Sequence, residues 1–277
     1  MLSGRALFAA GVFFLLTLMS KALFTANTTT ERPVFARSVN TLSKSNLLQY
    51  LAELGKEMLL TRNEPKCKTK VMGNGWGGHN LCDRGRPYDP CVFYSYGISQ
   101  DYSFDTAMAN EWGCKGVALD PSVSHHSTLH PNVTFHMIAA RTADSDADTQ
   151  WLHITTVPGL KRFLRDEHIT VLKMDCEGCE YALAEDILLE EPDFFHGVDQ
   201  FAIELHVSQK WLNTESQALR LGQLYQLAKE AGLSVADTHF GGCNPTDEAA
   251  GCLPLLHDVG FPCESRMMCV DVLFARL

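Results

Sequence analysis

The chain has no glycine-rich G-x-G-x-x-G fingerprint where a dinucleotide fold would need one. The first strand-like segment runs into SYGISQDYSFD, and Gly97 stands there alone. Each of the three glycines in that fingerprint serves a close approach of backbone to pyrophosphate, so a ligand without a pyrophosphate is expected in place of NAD. There is also no Lys/Arg-rich run, and the formal net charge is −10. That balance argues against a nucleic-acid partner, whose phosphates need a concentrated basic surface, and disfavours binding to an anionic membrane surface. Only Cys176-x-x-Cys179 has the paired spacing of a zinc site, so a metal cluster does not explain the cysteines. No internal repeat is present, and the apolar run at the N-terminus is short for the ~20 residues of a membrane span.

What is present is ordinary globular composition, 45% hydrophobic and 20% charged over 277 residues. That is room for one α/β domain with an appendage. Ten cysteines are many for such a chain, and Cys67, Cys82, Cys91, Cys243, Cys252, Cys263 and Cys269 sit in Gly/Pro-rich segments. An even count in loop-like surroundings points to disulfides in an oxidising compartment. Residues 6–19 (ALFAAGVFFLLTLM) follow Arg5, and Lys21 separates them from a second apolar patch at 22–24. Two readings stand: a signal peptide cleaved near Ser20-Lys21-Ala22, or a type II signal-anchor through Phe24 with Lys21 snorkelling. The polar stem that follows favours the anchor. Either way the body faces the lumen or the outside. The sequons at Asn27 and Asn132 agree with this.

The layout expected is a signal segment at 1–26, a stem with a short amphipathic helix at 27–65, a Cys/Gly-rich loop at 66–90 and the main domain at 91–277. In the helix, Leu47, Leu48, Leu51, Leu54, Met58 and Leu59 form one stripe, which suits packing on the domain. The loop contains Trp76 and His79 among five glycines. It reads as structural, perhaps tied by Cys67 to Cys82, with a lid over a ligand as the alternative. From Cys91 onward strand and helix patterns alternate, giving a mostly parallel sheet with right-handed crossovers. The last two strands, SVADTHF and MCVDVLFAR, have no helix pattern between them and are expected as a hairpin at one edge.

The centre of this pattern is 171–183, VLKMDCEGCEYAL. An apolar β-branched strand turns at Asp175-Cys-Glu177-Gly178 and continues as a helix. Ligands of open parallel sheets bind at the carboxyl ends of strands, where Asp175 and Glu177 fall. The plainer reading makes both acids caps of the following helix. Asp120 ends the second strand about 20 positions beyond Gly97, the offset of a ribose-binding acid, although an Asp before Pro121 also suits a turn. S-adenosylmethionine fits these residues. Its methionine portion needs only backbone at the first turn, and its ribose needs an acid after the second strand. Glu177 and His206 are the candidate general bases, with Glu204 two residues before His206. Asp175, Glu177, Glu204 and His206 would be suitable hard ligands for a divalent ion, but the expectation is a site without metal.

KMDCEGCE resembles the K-x-D-x-E-G-x-E signature of FkbM-type S-adenosylmethionine-dependent methyltransferases, and SYGISQDYSFD with GVALDPS resembles that family's first two motifs. The likeness covers roughly 91–277 and is nearest to secretory-pathway members of the methyltransferase-like proteins. It implies a doubly wound, Rossmann-like seven-stranded class I methyltransferase fold and O-methylation of a small molecule or glycan. Carried over by position, Gly97 and Asp120 serve the cofactor, and Asp175 and Glu177 stand beside the reacting centre. Cys176 and Cys179 fall at variable positions of the signature and are expected to be packing residues, with a redox pair as the alternative. Two other functions remain open: a Golgi-type glycosyltransferase using Asp144-Ser145-Asp146-Ala147-Asp148, and an inactive secreted binding module of the same fold.

Overall fold

The structure is a computed structural model, and it describes residues 42–85, 88–123, 130–141, 153–240, 251–263 and 269–277. The N-terminal apolar segment, the stem to residue 41, the Asn27 sequon and the 144–148 acidic run lie outside the described residues.

The first helix, α1 (Lys44–Thr61), opens where the Ser43 side chain accepts the Asn46 N–H. Its stripe is buried at Leu51, Leu54 and Met58, while Leu59 is exposed. α1 packs against α5 (Glu215–Glu230), which begins in a Thr214–Gln217 capping box. The crossing is close at Gly222, where a Cβ would meet the Leu47 carbonyl oxygen at 2.4 Å. The 66–90 segment carries more structure than a loop. It forms an antiparallel hairpin of β1 (Thr69–Met72) and β2 (His79–Cys82), tied by the Cys67–Cys82 disulfide. Met72 and Leu81 of this hairpin are fully buried.

The expected strand–helix alternation follows: β3 (Val92–Tyr96), α2 (Ser103–Glu111), β4 (Lys115–Leu119) and β5 (Val133–His136). The third expected strand, VTFHMIAA, is in fact broken. A tight turn in which Ile138 N–H donates to the His136 carbonyl ends β5, and β6 (Ala139–Ala140) pairs with β7 (Ile154–Thr155) in a separate two-stranded sheet. Then come α3 (Val157–Leu164), β8 (Ile169–Met174), α4 (Glu180–Glu190), β9 (Val198–Leu205), α5, β10 (Ser234–Phe240), α6 (Pro254–Asp258) and β11 (Val270–Ala275).

The main sheet has seven strands in the order β10–β11–β9–β8–β3–β4–β5. β9, β8, β3, β4 and β5 run parallel, and β11 runs antiparallel to both of its neighbours. The fold is thus the expected mostly parallel α/β sheet. The closing strands pair antiparallel at one edge as expected, with two corrections: the short helix α6 lies between them in the chain, and β11 inserts between β9 and β10, so β10 is the edge strand. A sequence read in order cannot show that insertion, since it depends on which edge offers free backbone groups.

Every residue of β8 is buried, as a central parallel strand covered on both faces requires. One core holds Leu172, Phe201 and Ile203 under α1, α4 and α5. The other holds Phe93, Val171 and Ala202 with α2 and the β1–β2 hairpin.

Candidate active site

The strand order reverses between β8 and β3, so the crevice beyond their carboxyl ends is where a ligand is expected. Gly97 ends β3 and Asp175 ends β8 there. Gly97 has φ +74°, and a Cβ at that position would lie 1.5 Å from the Asp175 carbonyl oxygen. Asp175 N–H donates to the Tyr96 carbonyl at 3.1 Å. The lone glycine of this turn therefore lets two strand ends touch, which is a packing reason for its being there.

A cavity of about 270 Å³ opens beside this contact, walled by Gly97, Asp120, Ile138, Ala139, Asp175 and Glu177 among others. Four of the five residues named from the sequence, Gly97, Asp120, Asp175 and Glu177, share this one wall. Asp120 is 5% exposed. Its Oδ2 accepts the Ser99 N–H at 2.7 Å, and its Oδ1 accepts the Ser122 N–H at 2.7 Å and the Ser122 hydroxyl. It thus braces the Gly97 turn as well as facing the cavity. Glu177 is exposed and held at φ +52°, a left-handed conformation that costs a non-glycine residue of order 1–3 kcal/mol.

Cys176 and Cys179 are joined by a disulfide. This corrects their expected role as packing residues: the C-x-x-C spacing brings both sulfurs to the same side of the turn that opens α4, and the bond staples that turn against the cavity. The other described pairs are Cys91–Cys114 and Cys252–Cys263.

His206 lies behind Asp175, outside the cavity wall, and buried at 2% exposure. Its Nδ1 is 3.0 Å from Glu180 Oε1, and its Nε2 is 3.3 Å from Glu204 Oε2 and 3.9 Å from Asp175 Oδ1. Burial alone would lower its pKa, but Glu180 and Glu204 raise it well above the ordinary value. Both ring nitrogens are faced by carboxylates and the ring does not line the cavity, so the structure does not set His206 against an acceptor there as a general base. Asp175 is pushed up by burial, with Lys173 opposing and Glu204 adding to the shift, while Glu204 is held low by bonds from His206 and Asp175 against its own burial.

Three further groups were missed from the sequence. Lys173 is buried and donates to the Tyr96 and Gly97 carbonyls at 3.2 and 2.8 Å, with Asp175 at 3.7 Å. Glu180 is buried on α4 and accepts the Gly178 and His206 backbone N–H groups. Both stand in the KMDCEGCE stretch, which was the available signal. Asp271, directly across from Glu204 in the β11–β9 register, is pushed up to about 8 by burial and by Glu204 and Asp175. An acid amid the apolar VDVLFA strand was its only sign.

Glu204 and Asp271 also line a second cavity of about 550 Å³ on the hairpin side, with Trp76, His79, Asn80 and Asp237. Trp76 is 71% exposed. His79 is buried, its pKa lowered to about 3 by burial and by Lys173. The hairpin loop is fixed to the first turn of the sheet, since Asp101 accepts the Gly77 N–H and Ser103 bonds Asn74 both ways. Asp175 thus faces one cavity and its neighbour Glu204 the other.

Comparison with known proteins bears on this arrangement. No curated protein matches the chain. Among solved structures, the cyclopropane-fatty-acyl-phospholipid synthase-like protein from Lactobacillus casei overlaps 89% of this chain and 95% of its own at 9% identity, with a TM-score of 0.32. Human N-acetylserotonin methyltransferase in complex with SAM overlaps 84% of this chain and 56% of its own at 11% identity, with a TM-score of 0.28. Overlaps this loose carry no argument. The family model described as a methyltransferase domain matches residues 61–225, more than half of the chain, from the end of α1 into α5 and across the whole Gly97–Asp175 crevice. The chain belongs to that methyltransferase-domain family.

Proposed function

We propose that the protein is an S-adenosylmethionine-dependent methyltransferase that methylates an oxygen of a small molecule or glycan in the secretory pathway. The observation that carries this reading is the 270 Å³ cavity at the strand-order reversal, with Gly97, Asp120, Asp175 and Glu177 on one wall. These residues fit the cofactor: backbone at the Gly97 turn for its amino-acid portion, and the Asp120 carboxylate, which accepts three bonds among the described residues, for a ribose hydroxyl. The bound cofactor supplies a sulfonium methyl for in-line displacement, so positioning provides much of the rate. Gly97, Asp120 and Glu177 all line this crevice. Asp175, braced by Lys173 and Glu204, separates this cavity from the larger one, which is the place for an acceptor.

The FkbM-like signature KMDCEGCE supports the finer family assignment. The compartment is supported by the cysteines, since among the described residues none is free, and paired thiols persist in oxidising surroundings. The test is calorimetry with S-adenosylmethionine, NAD and UDP-sugars on the secreted domain. S-adenosylmethionine binding is expected, with loss in Asp120→Ala. Binding of NAD or of a UDP-sugar in its place would remove the reading.

A further inference from the structure

We propose that Asp175, Glu204 and His206 form a divalent-cation site between the two cavities. Its existence stands on its own geometry, and its part in catalysis rests on the methyl transfer proposed above.

One carboxylate oxygen of Asp175, one of Glu204 and one ring nitrogen of His206 all lie within 4.8 Å of one another. A cation about 2.0–2.4 Å from each donor spans that spacing. The donors come from β8, just past its end, and from the adjacent parallel strand β9 and its exit, so the sheet holds them without a flexible loop. Two hard oxygens and one imidazole suit Mn²⁺, Mg²⁺ or Zn²⁺ better than a soft ion.

The surroundings of His206 are those of a ligand histidine. Its Nδ1 faces Glu180 at 3.0 Å, and Glu180 is itself fixed by the Gly178 N–H at 2.9 Å and the His206 N–H at 3.1 Å. A buried carboxylate behind one imidazole nitrogen orients the other outward, which is the usual outer-shell support of metal-bound histidine. The outward Nε2 is the atom that faces Asp175 and Glu204.

A second observation comes from the other side of Glu204. His79 lines the same cavity as Glu204 and Asp271, is 5% exposed, and its Nε2 has no hydrogen-bond partner. An unpartnered buried imidazole nitrogen among the described residues marks the larger cavity, which Glu204 also lines, as a place where a ligand would settle. Lys173 lies 3.7 Å from Asp175 and offsets part of the cluster's negative charge, while its ammonium donates to the Tyr96 and Gly97 carbonyls. The alternative set Cys176, Cys179 and Glu180 is excluded, since its two sulfurs are bonded to each other.

The position gives the ion a task. Asp175 lines the smaller cavity and Glu204 the larger, so the ion touches the boundary between cofactor and acceptor. A cation there, taking the place of the proton on His206 Nε2, polarises an acceptor hydroxyl and eases its loss of a proton.

The test uses the full chain stripped with chelator and titrated with MnCl₂, read by calorimetry and by the Mn²⁺ electron paramagnetic resonance signal, without substrate. One site per chain is expected. Glu204→Gln and Asp175→Asn should each weaken it at least 10-fold, and Glu180→Gln about 10- to 100-fold. Glu215→Gln, on the exposed start of α5, should leave it unchanged, and circular dichroism checks that each variant folds. Absence of Mn²⁺ uptake by the wild-type chain overturns the proposal, as does uptake unaltered in both Glu204→Gln and Asp175→Asn. Because no cofactor is present, failure here leaves the methyltransferase reading standing, and failure to bind S-adenosylmethionine leaves the ion site standing.

Discussion

Gly97 and the carbonyl of Asp175 are in backbone contact, so close that the glycine has no room for a Cβ. This contact locks the ends of β3 and β8 together at the point where the strand order reverses, beside the smaller cavity.

Gly97→Ala should therefore fail twice. The methyl group meets backbone that cannot move without breaking the Asp175–Tyr96 hydrogen bond, and φ +74° is itself unfavourable for alanine. A loss of roughly 3 kcal/mol or more is expected, about 6 °C or more in Tm for a chain of this size. Binding of S-adenosylmethionine should disappear with it. An unchanged melting temperature would mean that the contact is not tight.

Glu177 should behave in the opposite way. It is exposed and strained at φ +52°, so Glu177→Gly relieves strain and should raise stability by about 1 kcal/mol. The same change should lower methyl transfer at least tenfold, and Glu177→Gln should lower it with stability unaltered. A Glu177→Gly variant that is both more stable and fully active would make the residue a turn element without a catalytic part.

Asp105, buried on α2, sets a pH dependence. Burial pushes its carboxyl up to about 6, with Lys173 opposing. Its folded pKa thus lies above the unfolded value near 3.8. The folded state holds the proton more firmly, and stability falls as pH rises from about 4 to about 6, remaining lower above that. The two-unit difference corresponds to ~3 kcal/mol. Urea unfolding at pH 4 and pH 7.5 should show Asp105→Asn losing this part of the fall. Parallel changes in wild type and variant would exclude the assignment.

The Cys91–Cys114 bridge joins the starts of β3 and β4, neighbouring parallel strands, across 23 residues of chain. In the chain-entropy view, Cys91→Ala with Cys114→Ala should cost about 3 kcal/mol. The shift of the urea midpoint measures it, and a change under about 1 kcal/mol would show that the sheet fixes these ends unaided.

Much of the fold was legible in the sequence because its signals are local. Apolar periodicity over a few residues marked α1, β8 and α5, and glycines and acids at strand ends marked Gly97, Asp120, Asp175 and Glu177. Loop context with two cysteines sufficed for Cys67–Cys82. These features depend on neighbours in the chain, and backbone stereochemistry enforces them whatever the rest of the molecule does.

The remainder was decided by segments that meet only in three dimensions. β11 could be placed between β9 and β10 only once the sheet edge existed. The charge on His206 depends on Glu180 from α4 and Glu204 from β9, and that of Asp271 on its register against Glu204. An imidazole that reads as a base in FAIELHV sits with a carboxylate against each of its nitrogens. Sequence by itself determined which chemical groups stand at the strand ends. Tertiary structure decided what surrounds each of them, and so the direction in which its pKa shifts, because in a buried site the energy of a charge is set by what surrounds it in space.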